Sequence, residues 1–360
     1  MIKIFKNNLI MGQFFSSYST DTYQVTNNKP IQNLPSNITK IIFNSEYKSK
    51  IILDDNTNIE TIDLTKIYYY NETLEHLPPM LKKLKLSCSC YNKIYNFPSN
   101  LELLYCSDEF FFHQTKIPNT LKSLYINQSG IVSNYNYNLK TIFLFDNLEE
   151  LYFNYDNDYE PNNMLYQWLI KLIDNLPTKL KILKLPSFWN KPLLNLPTIL
   201  EKLYLGIEFN QSLDFLPESI KHIEFVELFK FNQPLDNLPS SIEYLNLQFQ
   251  NDYSQTINNL PNSIKFLELG EYELKIDKLP KELEQLYIAS FVKFELIENI
   301  DSNSNSKVKK YNLLYIGNYN VKNNIKIEIP QNLKKIVWYN CDFSVYTFEK
   351  NQNCEYWNNV

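Results

Sequence analysis

The chain has 360 residues, a net charge of −5 and a pI near 5.5, a balance that gives no drive toward nucleic acid or anionic lipid. Every basic side chain is a lysine, so the arginine fork that grips phosphate or carboxylate bidentately is missing from the sequence. No apolar run is long enough to span a membrane, and the start, MIKIFKNNLIMGQFF, lacks the apolar core and cleavage site of a secretory signal.

Five cysteines, Cys88, Cys90, Cys106, Cys341 and Cys354, are odd in number and clustered, which fits a reducing cytosol. Alanine occurs only at Ala289, while Asn, Ile, Lys, Tyr and Phe abound. Those residues have AT-rich codons, so part of the Tyr and Asn enrichment is genomic rather than functional.

In chain order, residues 1–26 precede the first repeat and are expected to cap it, because an open end of a stack exposes core and strand edges. Within them Met11-Gly12 to Ser16 matches a myristoylation pattern that acts only if translation starts at Met11. From residue 27 a unit recurs. Phe209–Phe225 reads FNQSLDFLPESIKHIEF and Phe231–Leu247 reads FNQPLDNLPSSIEYLNL. The proline of each Leu-Pro (or Phe-Pro, Ile-Pro) serves as a ruler: Pro35, Pro78, Pro98, Pro118, Pro177, Pro197, Pro217, Pro239, Pro261, Pro280 and Pro330. Pro217 and Pro239, for example, lie 22 apart. Apolar residues follow three, six and eight positions past each marker, as in Leu200, Leu203 and Leu205. Coils without the proline keep the pattern at Ile59-Ile62-Leu64, Leu148-Leu151-Phe153 and Tyr311-Leu314-Ile316.

L-x-x-L-x-L at a period of roughly 20–29 residues is the strand part of a leucine-rich coil. Its final alternation places one short strand in each coil, with alternate side chains inward and outward. The Asn after each aromatic is expected to bond turn backbone and stack on the Asn of the next coil. Four residues past each marker stands a charge whose sign alternates: Glu60, Lys82, Glu102, Lys122, Glu149, Lys181, Glu201, Lys221, Glu243, Lys265, Glu284. Strands stacked in parallel and in register would bring these neighbours together, and alternation is what such a stack selects.

Three irregularities interrupt the repeats. Residues 128–175 hold an insertion with an amphipathic helix near 162–174, its apolar stripe being Leu165, Trp168, Leu169, Leu172 and Ile173. Residues 299–310, NIDSNSNSKVKK, read as a disordered loop. Residues 351–360 read as a tail. The fold expected is a leucine-rich-repeat-like solenoid over 27–350, with one parallel β-sheet of about fourteen short strands and few helices.

The two units quoted above resemble the FNIP repeat, a relative of the leucine-rich repeat found in social amoebae and in giant viruses of amoebae. FWNKPLLNLPTILEKLYL, YNETLEHLPPMLKKLKL and YSQTINNLPNSIKFLEL fit more loosely, and the likeness extends over residues 28–340. Many members carry an N-terminal F-box, which implies a substrate receptor for a cullin-type ubiquitin ligase. Here the first repeat begins by residue 27, so that role is not carried over directly. The resemblance supplies no catalytic residues and implies an amoebal or viral origin.

The outward strand positions seven past the marker form the candidate binding face: Tyr105, Tyr125, Tyr152, Tyr204, Glu224, Glu268, Tyr287 and Tyr315, with Lys184 and Asn246 between them. Tyrosines of this kind are rigid amphipathic contacts for a partner, although they also suit exposed strands. On the same face His222, Glu224 and Glu268 offer two carboxylates spaced as an inverting glycosidase needs, or simply a solvated charged patch. Cys88, Cys90, Cys106 and His113 match no zinc-finger spacing, and with 5 Gly there is little material for a phosphate loop. The expectation is a monomeric, non-enzymatic protein-interaction scaffold of the cytoplasm. It needs no cofactor and no metal, and it binds a protein rather than nucleic acid or membrane. The alternatives are a substrate-binding module serving a ubiquitin ligase through a separate adaptor, and a carbohydrate-active enzyme.

Overall fold

A computed structural model describes residues 21–29, 31, 34–53, 58–67, 69–70, 72–87, 90, 94–114, 116–128, 145–155, 163–225, 230–247, 253–269, 276, 278–288, 292–298, 311–318, 326–328, 330–339, 345–350 and 357–359. The chain forms two compact units, Met1–Thr120 and Leu121–Val360. The expected loop at 299–310 and the myristoylation pattern at Met11 lie outside the described residues.

The first unit contains β1 (Thr22–Val25), β2 (Lys40–Phe43), β3 (Thr61–Asp63), β4 (Lys83–Lys85) and β5 (Leu103–Ser107), then the short helix α1 (Asp108–His113). Its strands pair in parallel, each with the next, so that Ile41, Ile62, Leu84 and Leu104 share one register position. All four are fully buried. At α1 the Ser107 hydroxyl accepts from Phe110 N–H at 3.1 Å, and Asp108 and Glu109 occupy the first turn.

The second unit runs β6 (Ser123–Asn127), β7 (Glu150–Asn154), helix α2 (Asn163–Ile173), β8 (Ile182–Lys184), β9 (Lys202–Leu205), β10 (His222–Phe225), β11 (Tyr244–Leu247), β12 (Phe266–Leu269) and β13 (Gln285–Ile288). These strands are also parallel and in register, with Leu151, Leu183, Leu203, Ile223, Leu245, Leu267 and Leu286 forming one inward column. Burial of such a side chain contributes about 1.5–3 kcal/mol, and the column repeats it in every coil. Helix α2 sits between β7 and β8 and buries Leu165, Trp168, Leu169, Leu172 and Ile173.

After β13 come β14 (Val292–Glu298), β15 (Tyr311–Asn318) and β16 (Lys326–Glu328), which form their own three-stranded antiparallel sheet. The coil stack resumes at β17 (Lys335–Tyr339), which pairs in parallel with β13, Leu286 opposite Ile336. It ends in β18 (Val345–Lys350) and β19 (Trp357–Asn359), both antiparallel. Together the units hold the fourteen parallel strands expected, by a partly different set. The strand β1 is a member although it falls in the segment read as a cap. The Tyr311-Leu314-Ile316 segment is not a coil, because it pairs antiparallel with β14 and β16. The spacing of Tyr311, Leu314 and Ile316 does not decide between the two, since Leu313–Ile316 is apolar at every position and the eight-residue strand finds antiparallel partners on both sides.

Each coil is built by the same bonds. The N–H three past the proline donates to the proline carbonyl, as Leu200 does to Pro197 at 3.0 Å and Leu81 to Pro78 at 3.0 Å. The carbonyl of the alternating-charge residue then accepts two amides from the next coil: Lys181 O takes Glu201 N–H at 2.8 Å and Lys202 N–H at 2.9 Å. The same double acceptance recurs at Glu60, Lys82, Lys122, Glu149, Glu201, Lys221, Glu243, Lys265 and Glu284. The side chains follow suit, with ion pairs Lys82–Glu60, Lys181–Glu149, Lys265–Glu243 and Lys334–Glu284 at 2.7–2.9 Å.

On the wall opposite the strands, Phe209, Phe231 and Tyr253 stack at centroid spacings of 6.3 and 6.2 Å. The Asn ladder beside them runs from Asn190 to Asn210 to Asn232 to Ser254, each Asn carbonyl oxygen accepting the backbone N–H of the next at 2.9–3.0 Å. A hydroxyl two past the proline adds a third ladder, Ser219, Ser241 and Ser263 each donating to a carbonyl of the preceding coil at 2.7 Å.

One contact is closer than any side chain permits. A Cβ on Gly206 would stand 2.5 Å from the Pro186 carbonyl oxygen and 2.6 Å from Ser187 Cα, both rigid backbone of the coil before it. Gly206→Ala therefore forces two coils apart. It is expected to lower stability by about 1–3 kcal/mol, read as a fall in urea midpoint at unchanged m-value. An unchanged midpoint would mean that the two backbones do not approach this closely.

Candidate functional site

The inward alternate of each strand is consumed by the core, so chemistry is confined to the outward face. In the first unit this face presents Asp63, Lys85 and Tyr105 at one register position, with Lys85 Nζ 3.8 Å from Asp63 Oδ2. Tyr105 is half-buried.

In the second unit the corresponding row is Tyr125, Tyr152, Lys184, Tyr204, Glu224, Asn246, Glu268 and Tyr287, each opposite the next by register. Tyr315 does not belong to it. It lies in β15 of the separate antiparallel sheet, and the residue that follows Tyr287 in register is Val337.

A second outward row lies two residues earlier in each strand, five past the marker, a position the sequence reads as outward but of which it singles out only His222. There His222, Tyr244 and Phe266 stack face to face, centroids 4.0 and 4.3 Å apart and planes within 7°. Phe266 continues to Tyr287 at 5.0 Å, and Tyr204 meets His222 at 5.3 Å. The signal was present in the aromatic residue five past consecutive markers, Pro239 and Pro261.

The two ends of this face differ in how their polar groups are used. Around β6–β8, Tyr125 and Tyr152 stack at 4.4 Å. Ser123 and Tyr125 hydroxyls donate to Glu150 Oε2 at 3.0 and 3.3 Å, Asn154 donates to Asn127 at 2.9 Å, and Lys184 Nζ donates to Asn154 Oδ1 at 2.9 Å. That end is internally satisfied.

Around β10–β12 the arrangement is open. His222 Nε2 lies 3.1 Å from Glu224 Oε2, and Asn246 is buried beside them. Glu268 is only 8% exposed and has no hydrogen bond to any described residue. Burial, with the Glu224 charge adding to it, pushes the Glu268 carboxyl up from 4.5 to about 7. Tyr204 is raised to about 12, by burial first and then by the Glu224 carboxylate.

Among the described residues no group of three or more His, Cys, Asp or Glu side chains is placed to hold a metal ion. Cys90 and Cys106 are buried thiols in no disulfide, and burial holds Cys106 well above the usual thiol range. Cys88, Cys341 and Cys354 lie outside the described residues, as does the side chain of His113. No helix among the described residues is long and apolar enough to cross a membrane.

The Glu268 carboxyl carries a pH signature. The native state keeps its proton up to about pH 7, whereas the unfolded chain releases it near 4.5. Between those values the unfolded state binds fewer protons, so this group makes stability fall as pH rises from 4.5 to 7 and level off above. Glu268→Gln cannot ionise and is expected to match wild type at pH 4.5. At pH 8 it should exceed wild type by about 3 kcal/mol in urea unfolding. Equal differences at both pH values would contradict the raised carboxyl.

Comparison with known proteins bears on the repeats. Residues 189–227 and 231–272 match the FNIP Repeat family model. No curated protein sequence matches the chain. Among solved structures, one described as "CroV588 a novel circular LRR protein structure" is 20% identical with a TM-score of 0.49, over 88% of this chain and 49% of that one. YopM from Yersinia enterocolitica is 17% identical with a TM-score of 0.32, over 71% of this chain and 52% of that one. The chain thus spans about half the length of the CroV588 protein it resembles.

Proposed function

From the FNIP repeats that this chain carries at 189–227 and 231–272, we propose that it is a non-enzymatic protein-interaction scaffold whose partners dock on the outward face of the strand stack. The observation that carries the reading is the pair of aromatic rows on that face, Tyr125–Tyr152 at 4.4 Å and His222–Tyr244–Phe266 at 4.0 and 4.3 Å. They are held on strands whose backbone hydrogen bonds repeat coil after coil. Aromatic side chains fixed in this way give contact area at little entropic cost, which is what anchors of protein interfaces supply. The core and the Asn ladder, by contrast, are spent on stacking the coils.

The protein acts, in this reading, as a monomer in the cytosol of an amoebal cell. An odd set of five cysteines, with buried thiols in no disulfide at Cys90 and Cys106, accords with a reducing compartment. In this reading Glu224 and Glu268 serve recognition of the partner.

The test is affinity capture from amoebal lysate with the tagged chain and with a Tyr125→Ser, Tyr152→Ser, Tyr204→Ser variant confirmed folded by circular dichroism. Specific proteins held by wild type are expected to be lost from the variant. Capture of the same proteins by both would remove the outward face from the account, and cullin subunits among them would point to the ubiquitin-ligase alternative.

A further inference from the structure

We propose that the outward face of β10–β12 is a binding site for a guanidinium group, presented as an arginine side chain on an extended segment of the partner protein. The proposal rests on the reading of this face as the docking face, and it names the chemistry that the face selects.

The first ground is an unused acceptor. Glu268 is more than nine-tenths buried on the outward side of β12 and has no hydrogen-bond partner among the described residues. The other end of the same face pairs its carboxylate and amides internally, through Ser123, Tyr125, Asn154 and Lys184. The contrast singles out Glu268 as an acceptor on this face that no described residue engages, and a donor from a partner that excludes water would be held strongly there.

The second ground is geometry. Register places Glu224, Asn246 and Glu268 opposite one another on three adjacent strands, so the two carboxylates flank Asn246 with backbones roughly 9–10 Å apart. Neither makes an ion pair with a lysine among the described residues; the recorded partner of Glu224 is the imidazole of His222. A group seated over Asn246 lies between two acceptors of the same sign, and a cation relieves their mutual repulsion.

The third ground is the shape of the donor. His222, Tyr244 and Phe266 cover one another's faces, so beside this row they form a rigid wall of ring edges that holds the carboxylates apart. A guanidinium is planar and spreads five donors in a fixed fork. An ammonium is a compact point charge that reaches one acceptor cluster. Two separated carboxylates favour the former. The occupant must come from another molecule, because this chain contains no arginine.

The experiment is a ligand-observed NMR titration of the full chain at pH 8 with three peptides, acetyl-Ser-Gly-Xaa-Gly-Ser-amide, in which Xaa is arginine, citrulline or lysine. Citrulline keeps the shape of arginine and removes its charge. The arginine peptide is expected to bind at least about tenfold more tightly than either of the others, and Glu268→Gln and Glu224→Gln are each expected to weaken it by about tenfold. Glu149→Gln, on the ion-pair row away from this face, should leave binding unchanged. Urea unfolding of Glu268→Gln and Glu224→Gln at pH 8 shows whether each variant is folded where binding is read.

Equal binding of arginine and citrulline, equal binding of arginine and lysine, or no saturable binding of the arginine peptide overturns the guanidinium site. In any of those cases the scaffold reading still stands if the tyrosine variant loses its captured proteins, and falls with the site if it does not.

Discussion

Every coil hangs on one carbonyl. Four residues past the marker a carbonyl oxygen, of Glu or Lys in ten coils and of Thr39 in another, accepts two amides from the following coil, and in this way the next strand is placed in register before its side chains meet. A slip of one residue would turn the inward leucines out and the outward tyrosines in. Backbone bonds alone do not choose between these registers. The choice is made by Leu203, Ile223, Leu245 and Leu267, which are fully buried only in this one. Lys–Glu alternation adds a penalty on skipping a coil, since like charges would then face each other. The pairs are exposed, so their value lies in specifying order rather than in strengthening the fold.

Much of this was legible because the information is local and repeated. The proline markers located the turns, the three-six-eight apolar offsets located the inward residues, and the sign alternation anticipated the pairs Lys82–Glu60, Lys181–Glu149 and Lys265–Glu243. Reading failed where a pattern has two physical realisations. The apolar run at Leu313–Ile316 suits a coil strand and a hairpin strand alike, and only the partner decides between them. That pairing carried Tyr315 off the candidate face. Conversely β1 lacks the marker and was read as part of a cap, yet its backbone completes the same ladder, with Asp21 O accepting Thr39 and Lys40 N–H.

The candidate face was legible as a row but not as a site. Position seven past the marker identified Tyr125, Tyr152, Tyr204, Glu224 and Glu268. The row at position five is marked in the sequence by Tyr244 and Phe266, but the stacking of their rings at 4.3 Å is set by the adjacent strands. Burial of Glu268 is likewise a property of its neighbours and has no signature in the segment FLEL. The outcome is a face whose β6–β8 end is closed by its own hydrogen bonds and whose β10–β12 end holds a carboxyl, Glu268, with no hydrogen bond among the described residues, beside a column of stacked rings. A rigid backbone, spent aromatic area and an unmet acceptor are the ingredients of selective docking.

The central claim is that recognition occurs on the outward strand face while the opposite wall only stacks coils. A photo-crosslinking amino acid, placed in turn at position 204 on β9 and at position 194 in the return segment between β8 and β9, tests it directly. Both Tyr204, half-buried, and Leu194, 65% exposed, leave the inward column untouched. The account predicts covalent adducts with partner protein from position 204 and none from position 194. Adducts from position 194 alone would contradict it and move the binding surface to the other wall.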